Sequence, residues 1–142
     1  MTNSNIIIIL AVFLFVDFVI LFFLLYKHFK KRVFTSEELQ YIRSHWVRII
    51  DSFNSYPKQS VLDADKLLDY GLSKKFPKKG YGLTLGEKLK KFGSVFSDID
   101  AVWSAHKLRN QIAHDFGEIN IKEAKNALVR FKKALNDLGA EL

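Results

Sequence analysis

The sequence of 142 residues contains no cysteine and only two prolines. The absence of cysteine excludes a disulfide scaffold, a zinc site with thiolate ligands, an iron–sulfur cluster and catalysis by a thiol. Two prolines beside thirteen Phe, five Tyr and two Trp favour helices over a turn-rich β-sandwich. A hydrophobic fraction of 49% excludes a disordered chain of low hydrophobicity, and the length allows one domain of ordinary size.

Charge is almost missing from the start of the chain, where an apolar run begins at Ile6 and ends at Tyr26. Its one charged side chain is Asp17. At about 1.5 Å of rise per residue, a helix over this run is roughly 31 Å long, which matches the hydrocarbon core of a bilayer. The run therefore predicts a single transmembrane helix, with residues 1–32 forming the anchor and its basic flank.

Basic residues follow the apolar run but do not precede it. Residues 1–5 contain no Lys or Arg. The basic residues immediately after the run are Lys27, Lys30, Lys31 and Arg32. The positive-inside rule then predicts that the N-terminus lies outside and that residues 33–142 lie in the cytoplasm. A cleaved signal peptide fits poorly, because the start is not basic, the apolar run is longer than about 15 residues and no small-x-small cleavage site follows.

Asp17 lies near the middle of the predicted transmembrane helix, where an ionised carboxylate costs about 2.5 to 3.5 kcal/mol on insertion scales. One interpretation is a polar contact with another transmembrane helix, including the same helix of a second copy. The other is a carboxyl group that stays protonated among its apolar neighbours. The sequence leaves both open.

Residues 33–142 form a second, mildly basic region. Taking the four basic residues and one acid of residues 1–32 from the totals of 22 and 15 leaves 18 basic and 14 acidic side chains, a net charge of +4. Apolar residues at steps of three and four predict helices. The predicted helices cover residues 35–53, 57–72, 84–92, 97–116 and 120–138. They predict an all-α fold, in which an antiparallel bundle of four to five helices follows the transmembrane helix.

Several helix boundaries rest on single residues. Thr35 with Glu38, and Asn120 three residues before Glu123, have the spacing of N-terminal caps. Ser97 is predicted to cap the helix that ends near Phe116, before Gly117. A further helix is predicted to begin with its first turn at Pro57 and to end at Gly71 or Leu72.

The stretch from Ser73 to Phe92 interrupts the helical pattern and concentrates basic charge. One proline and three glycines predict a loop with one short helix near residues 84–92. The lysines of this basic segment are Lys74, Lys75, Lys78, Lys79, Lys88, Lys90 and Lys91. They are candidates for contact with phosphate backbones or lipid head groups, and they fit a solvated loop equally well.

The helix predicted over residues 97–116 has three sectors on a wheel of about 100° per residue. The apolar stripe expected to face the core contains Ala101, Ala105, Leu108, Ile112 and Phe116. The stripe expected to face water contains Asp100, Ser104, Lys107, Gln111 and Asp115. The third sector contains Ile99, Val102, Trp103, His106, Arg109, Asn110, Ala113 and His114. Its mixture of apolar, cationic and amide side chains predicts contact with another helix, a second subunit or a ligand.

The segment from Arg109 to His114 reads Arg-Asn-Gln-Ile-Ala-His. It resembles the signature of HEPN domains, which is Arg, a polar residue, a few further residues and then His. The segment from Leu62 to Tyr70 resembles the acidic leading helix of such domains, and Trp103 to Phe116 resembles their motif helix. The resemblance covers about residues 35–142. Phe116 departs from it, because many toxin-type members have Tyr at that position.

The resemblance implies a helical bundle that forms a homodimer through the helix carrying Arg109 to His114. For active members it also implies cleavage of RNA without a metal ion or cofactor. His114 would accept the proton of a ribose 2′-hydroxyl group, and Arg109 would hold the phosphoryl oxygens. Asn110 would orient His114 or bind phosphate. These three residues are the predicted catalytic residues.

Three further residues are supporting candidates. Asp63 and Asp65, by similarity to the acidic leading helix, would orient the motif residues across the cleft, and solvated helix charges would explain them equally well. His106 lies outside the signature, and a histidine beside a tryptophan is also typical of a packed, satisfied residue. No metal-ligand motif occurs in the sequence, so no metal site is predicted.

Three functions remain open from the sequence. The first is a membrane-anchored, metal-independent endoribonuclease with a cleft formed by a homodimer. The second is a non-catalytic, membrane-tethered HEPN-like module for dimerisation, for RNA binding or for service as an adaptor. The third is a small membrane protein whose helical domain binds anionic lipid or a partner through the segment from Lys74 to Lys91.

Overall fold

The structure is a computed structural model that describes residues 3–29, 32–114 and 118–142. The described residues contain six α-helices and no strand, which confirms the prediction of an all-helical fold. The helices are α1 (Asn3–Phe29), α2 (Ser36–Ser52), α3 (Pro57–Lys75), α4 (Leu85–Phe92), α5 (Ile99–His114) and α6 (Ile121–Asp137), with a short 3-10 turn at Gly93–Val95.

The chain divides into two compact units, residues 1–32 and residues 33–142. The first unit contains α1, whose side chains from Ile7 to Leu24 are exposed. This segment of 18 residues is long and apolar enough to cross a membrane, at about 1.5 Å of rise per residue.

Short-range capping fixes the starts of α2, α4 and α6. Thr35 and Thr84 each accept a hydrogen bond from the glutamate amide three residues later, and each glutamate side chain accepts one in return. The side chain of Asn120 accepts from two backbone amides of the first turn of α6. The caps predicted at Thr35 and Asn120 are therefore confirmed.

The cap predicted for α5 at Ser97 is wrong. The carboxylate of Asp98 accepts from the backbone amide of Ala101 at 3.0 Å, and this is the capping contact. Ser97 instead donates its amide and its hydroxyl to the carboxylate of Asp137 at the end of α6. The predicted end of α5 at Phe116 and Gly117 lies outside the described residues.

Helix α3 lies at the centre of the second unit and packs against α2, α4, α5 and α6. It runs to Lys75, beyond the predicted end at Gly71 or Leu72. A Cβ atom at Gly71 would lie 3.3 Å from Leu138 Cδ1, so this glycine lets the chain at the end of α6 approach the helix instead of ending it. The largest fully buried side chains of the core include Ile42, Leu68, Leu72, Phe131 and Leu135.

Candidate active site

Four polar side chains from α3 and α5 form a closed ring of contacts, which we call the Asp65 cluster: Asp65, His106, Arg109 and Asn110. His106 Nδ1 lies 2.7 Å from Asp65 Oδ1, and Arg109 Nε lies 3.2 Å from Asp65 Oδ2. Arg109 Nη1 donates to Asn110 Oδ1 at 3.0 Å. Asn110 Nδ2 lies 3.4 Å from His106 Nε2 and closes the ring. Each member therefore has its orientation set by two others.

Helix geometry explains why α5 contributes three members of the cluster. His106 and Asn110 are four residues apart and Arg109 is three residues after His106, so the three side chains lie on one side of the helix. That side faces α3, against which α5 packs. The third sector of the predicted wheel thus meets another helix of the same chain, which is one of the three partners expected for it.

Asp65 is the buried centre of the cluster. The residue is 4% exposed, and its two carboxylate oxygens face an imidazole and a guanidinium group. A carboxylate removed from water needs such partners because burial of an unpaired charge costs several kcal/mol, as an order of magnitude. An ionised carboxylate can only accept a hydrogen bond, so His106 Nδ1 is the donor to Asp65, and Nε2 is the nitrogen left for other groups.

Arg109 is held by Asp65 on one edge and is open on the other. Its Nε atom is buried and lies at ion-pair distance from Asp65 without a hydrogen bond of good geometry. The side chain as a whole is 30% exposed. A guanidinium group carries five N–H donors in a rigid fork, and Asp65 and Asn110 engage only part of them. The remaining donors can bind a phosphate or carboxylate oxygen.

His106 lies between Trp103 and the start of α4. The ring centroids of Trp103 and His106 are 5.9 Å apart in an edge-to-face arrangement. On the α4 side the neighbour is Gly86, where a Cβ atom would lie 3.8 Å from His106 Nε2. Because position 86 is a glycine, the backbone of α4 lies near Nε2 with no side chain between them. The imidazole is 12% exposed.

His114 lies apart from the Asp65 cluster in the same chain. It is exposed at the last residue of α5 and lines a cleft of about 470 Å³ together with Lys58, Asn120 and Glu123. Arg109 faces α3, whereas His114 faces this cleft beside the start of α6. One protomer therefore does not bring the predicted base beside the predicted phosphate-binding arginine.

Asp63 also lies apart from the cluster. Two residues along a helix differ by about 200°, so Asp63 faces away from Asp65. Its carboxylate accepts from Gln59 Nε2 at 2.8 Å and lies 3.7 Å from Lys66 Nζ. The structure thus places Asp65, and not Asp63, beside the motif helix.

The lysines of the basic segment do not share one surface. Lys88 is 4% exposed, and its ammonium group donates to Asp69 Oδ1 and Ser73 Oγ at 2.7 and 2.8 Å. Lys75 donates to the carbonyl of Leu138 at 2.8 Å, near the C-terminal end of α6. Lys88 therefore cannot take part in the contact surface expected of it, because it holds α4 onto α3.

The other five lysines of the segment lie nearer the surface. Lys78, Lys79, Lys90 and Lys91 are exposed, and Lys74 is half-buried. The ammonium group of Lys74 lies 5.4 Å from the ring centroid of Tyr70, and Lys91 donates to the carbonyl of Lys79 at 2.9 Å. Four exposed lysines at the tip of a loop and on one face of a short helix are the part that can meet an anionic surface.

The sequence analysis missed a second polar cleft, on the other side of α3. Its volume is about 430 Å³, and its lining includes Tyr41, His45, Arg48, Lys66 and Tyr70. Arg48 Nη2 lies 2.8 Å from His45 Nε2, and His45 stacks on Tyr41 with ring centroids 3.7 Å apart. Burial raises the pKa of the Tyr70 hydroxyl, and the nearby Glu38 carboxylate raises it further. The spacing of His45 and Arg48, three residues apart on α2, was the available signal.

Among the described residues, no group of three or more His, Cys, Asp or Glu side chains is arranged to hold a metal ion. No protein-family model, curated protein or solved structure matches the chain. The resemblance to HEPN domains therefore depends on the residues of the leading helix and the motif helix, and it stays a prediction.

Proposed function

We propose that this protein is a membrane-anchored, HEPN-like endoribonuclease that needs no metal ion and whose active cleft forms between two copies of the chain. The observation that carries the proposal is the Asp65 cluster, in which a buried carboxylate fixes an arginine whose outer edge is open. An arginine held in this way is preorganised to bind a phosphodiester, because little side-chain freedom is lost on binding.

Two copies are needed because of the positions of Arg109 and His114. The two residues are five apart on α5, about 140° around the helix, and in one chain they face different neighbours. A twofold axis beside α5 would bring His114 of one chain toward Arg109 of the other. Anchoring through α1 supports such a pairing, because confinement to a membrane raises the effective concentration of the two copies.

The proposed chemistry uses groups of the types present. A neutral His114 accepts the proton of a ribose 2′-hydroxyl group, and the oxygen attacks the adjacent phosphorus. Arg109 binds the nonbridging oxygens and stabilises the charge that develops on them. The bond from phosphorus to the 5′ oxygen breaks, and that oxygen takes up one proton. The products are a 2′,3′-cyclic phosphate and a 5′-hydroxyl group.

A second candidate is a non-catalytic HEPN-like module that dimerises, binds RNA or serves as an adaptor at the membrane. The observation in its favour is that Asp65, His106 and Asn110 make their hydrogen bonds within the cluster of one chain, as in a purely structural ring, although Arg109 Nε makes none. In this case Arg109 stabilises the contact between α3 and α5, and RNA is bound without cleavage or is not bound.

The test is RNA cleavage by the full-length chain in lipid nanodiscs, with an excess of chelator and a labelled single-stranded RNA. We expect cleavage that leaves cyclic phosphate ends. Arg109→Ala and His114→Ala should each lower the rate by about 100-fold or more, since each removes phosphate binding or proton transfer.

The matched controls are Arg48→Ala and His45→Ala, because these residues form an Arg–His contact on the other side of α3. Both controls should cleave at the wild-type rate. Nanodiscs that hold two chains and show no cleavage would refute the nuclease and favour the non-catalytic module. Mixing the Arg109→Ala and His114→Ala chains gives a further check, because a shared cleft restores one intact site per mixed pair.

A further inference from the structure

The proposed reaction requires a proton donor for the 5′ oxygen, and the motif residues do not provide one. His114 accepts a proton in the first step, while the guanidinium group of Arg109 does not give up a proton in proteins. The amide of Asn110 is not an acid either. A second group that can hold and release a proton near neutral pH is therefore needed, and histidine is the side chain best suited to it.

We infer that His106 is this proton donor and that Asp65 positions it. The inference rests on the proposed function. The 2.7 Å contact between His106 Nδ1 and Asp65 Oδ1 fixes the ring orientation, so that Nε2 is the nitrogen whose proton an imidazolium form can transfer. Two charged groups face the ring: Asp65 from α3 and Arg109 from α5. From α4 the ring meets the glycine at position 86.

Nε2 of His106 has little polar competition for a substrate oxygen, and the side chain is 12% exposed. The only polar contact that Nε2 makes within the described residues is with Asn110 Nδ2 at 3.4 Å, a long distance compared with ordinary hydrogen bonds. The amide nitrogen of Asn110 can donate only to an unprotonated Nε2, so the imidazolium form gives up this contact and its Nε2 proton is left for a substrate oxygen. Gly86 adds no side chain over this nitrogen, and the adjacent Arg109 fixes where the phosphate binds.

The proton balance of the step is complete. The P–O5′ bond breaks with its electron pair remaining on the 5′ oxygen, and that oxygen takes the proton from Nε2 of the imidazolium. His106 becomes neutral and keeps its bond to Asp65. His114, which took the 2′ proton, and His106 then return to their starting forms by exchanging protons with water.

A substrate whose leaving group needs no proton tests the role of His106 directly. The substrate is a single-stranded RNA in which the bridging 5′ oxygen, at the linkage that the wild type cleaves, is replaced by sulfur. A thiol has a pKa of about 8.5, so the thiolate can leave without protonation. The variant is His106→Asn, whose side-chain amide can still donate to Asp65 but cannot transfer a proton.

We expect His106→Asn, in the full-length chain in nanodiscs, to lower cleavage of the oxygen linkage by about 100-fold and of the sulfur linkage by less than about 5-fold. His114→Ala should lower cleavage of both linkages by about 100-fold, because it removes the base. His45→Asn is the control and should match the wild type on both. Unfolding followed by tryptophan fluorescence verifies that His106→Asn is folded.

Each other result overturns the inference. An equal loss on the two linkages would mean that His106 supports the fold or the binding of RNA, and no loss on either would mean that another group gives the proton. If the wild type cleaves neither linkage, the proposed nuclease itself fails and this role of His106 fails with it. The two failures are distinct, because the first appears only in the variant and the second appears in the wild type.

Discussion

The two sides of α3 carry carboxylates that look equivalent in the sequence but lie in different environments in the fold. Asp65 faces α5, is almost fully buried and is ringed by His106, Arg109 and Asn110. Asp63 faces the cleft with α2, and its side chain is 41% exposed. The difference arises because two residues along a helix point in nearly opposite directions, and only one of those directions meets the motif helix.

The comparison shows that burial, and not the presence of charge, distinguishes the candidate site. The α2 side also offers an arginine, a histidine and a lysine, namely Arg48, His45 and Lys66. There the charged groups reach water, which screens their interactions and makes each pair worth little. On the α5 side the low exposure of Asp65 gives its contacts strength and fixed geometry.

The largest effect that we expect is from Asp65→Ala. The change removes the hydrogen-bond acceptor of His106 Nδ1 and the ion-pair partner of Arg109, and should lower the free energy of unfolding by about 3 kcal/mol, with the partial exposure of Arg109 limiting the loss. Asp63→Ala should lower it by less than about 1 kcal/mol.

Denaturation in a mild detergent measures this difference through tryptophan fluorescence. Both tryptophans of the chain, Trp46 and Trp103, belong to residues 33–142, so the signal reports on the helical unit alone. Equal losses for the two aspartate variants would contradict the contrast between the two sides of α3.

A third carboxylate of α3, Asp69, sharpens the comparison. Its side chain is 40% exposed, like that of Asp63, but its partner Lys88 is buried. Lys88→Ala should lower the free energy of unfolding by about 1 to 2 kcal/mol, since it removes two hydrogen bonds and a buried aliphatic stem. The exposed Lys90 is the control, and Lys90→Ala should change it by less than about 0.5 kcal/mol. The same fluorescence assay tests whether an ion pair with only one buried partner stabilises the helical unit.

The smallest effect concerns Tyr70, on the α2 side of α3. Burial and the Glu38 carboxylate raise the pKa of its hydroxyl above the ordinary value of 10.0. Above about pH 10 the unfolded chain therefore loses this proton before the folded chain does, so stability falls as pH rises. Tyr70→Phe should reduce this alkaline loss, and stability measured from pH 8 to pH 11 tests it. The exposed Tyr81 is the matched control, and a flatter curve for Tyr81→Phe alone would contradict the assignment.

Local sequence predicted the local structure well. The capping box at Thr35 and the cap at Asn120 involve partners two or three residues away, and Pro57 begins a helix as expected. One cap was predicted wrongly because of a contact between helices. Ser97 donates to Asp137 at the end of α6, and Asp98 caps α5 instead.

Long-range packing decided the site. Asp65 and His106 are 41 residues apart in the chain, and the resemblance to the acidic leading helix treats Asp63 and Asp65 alike as partners of α5. Packing of the helices also buries Lys88 beside Asp69, so it is not part of an exposed basic surface. It places His106 beside Asp65, within the candidate site.

The sequence by itself determined the all-helical class, the apolar N-terminal helix and most helix starts, because periodicity, run length and capping act over a few residues. Only the tertiary structure decided which charges are buried and which nitrogen of His106 stays available. Those outcomes depend on how α5 packs against α3 and α4, because contacts between residues far apart in the chain decide which side chains are buried.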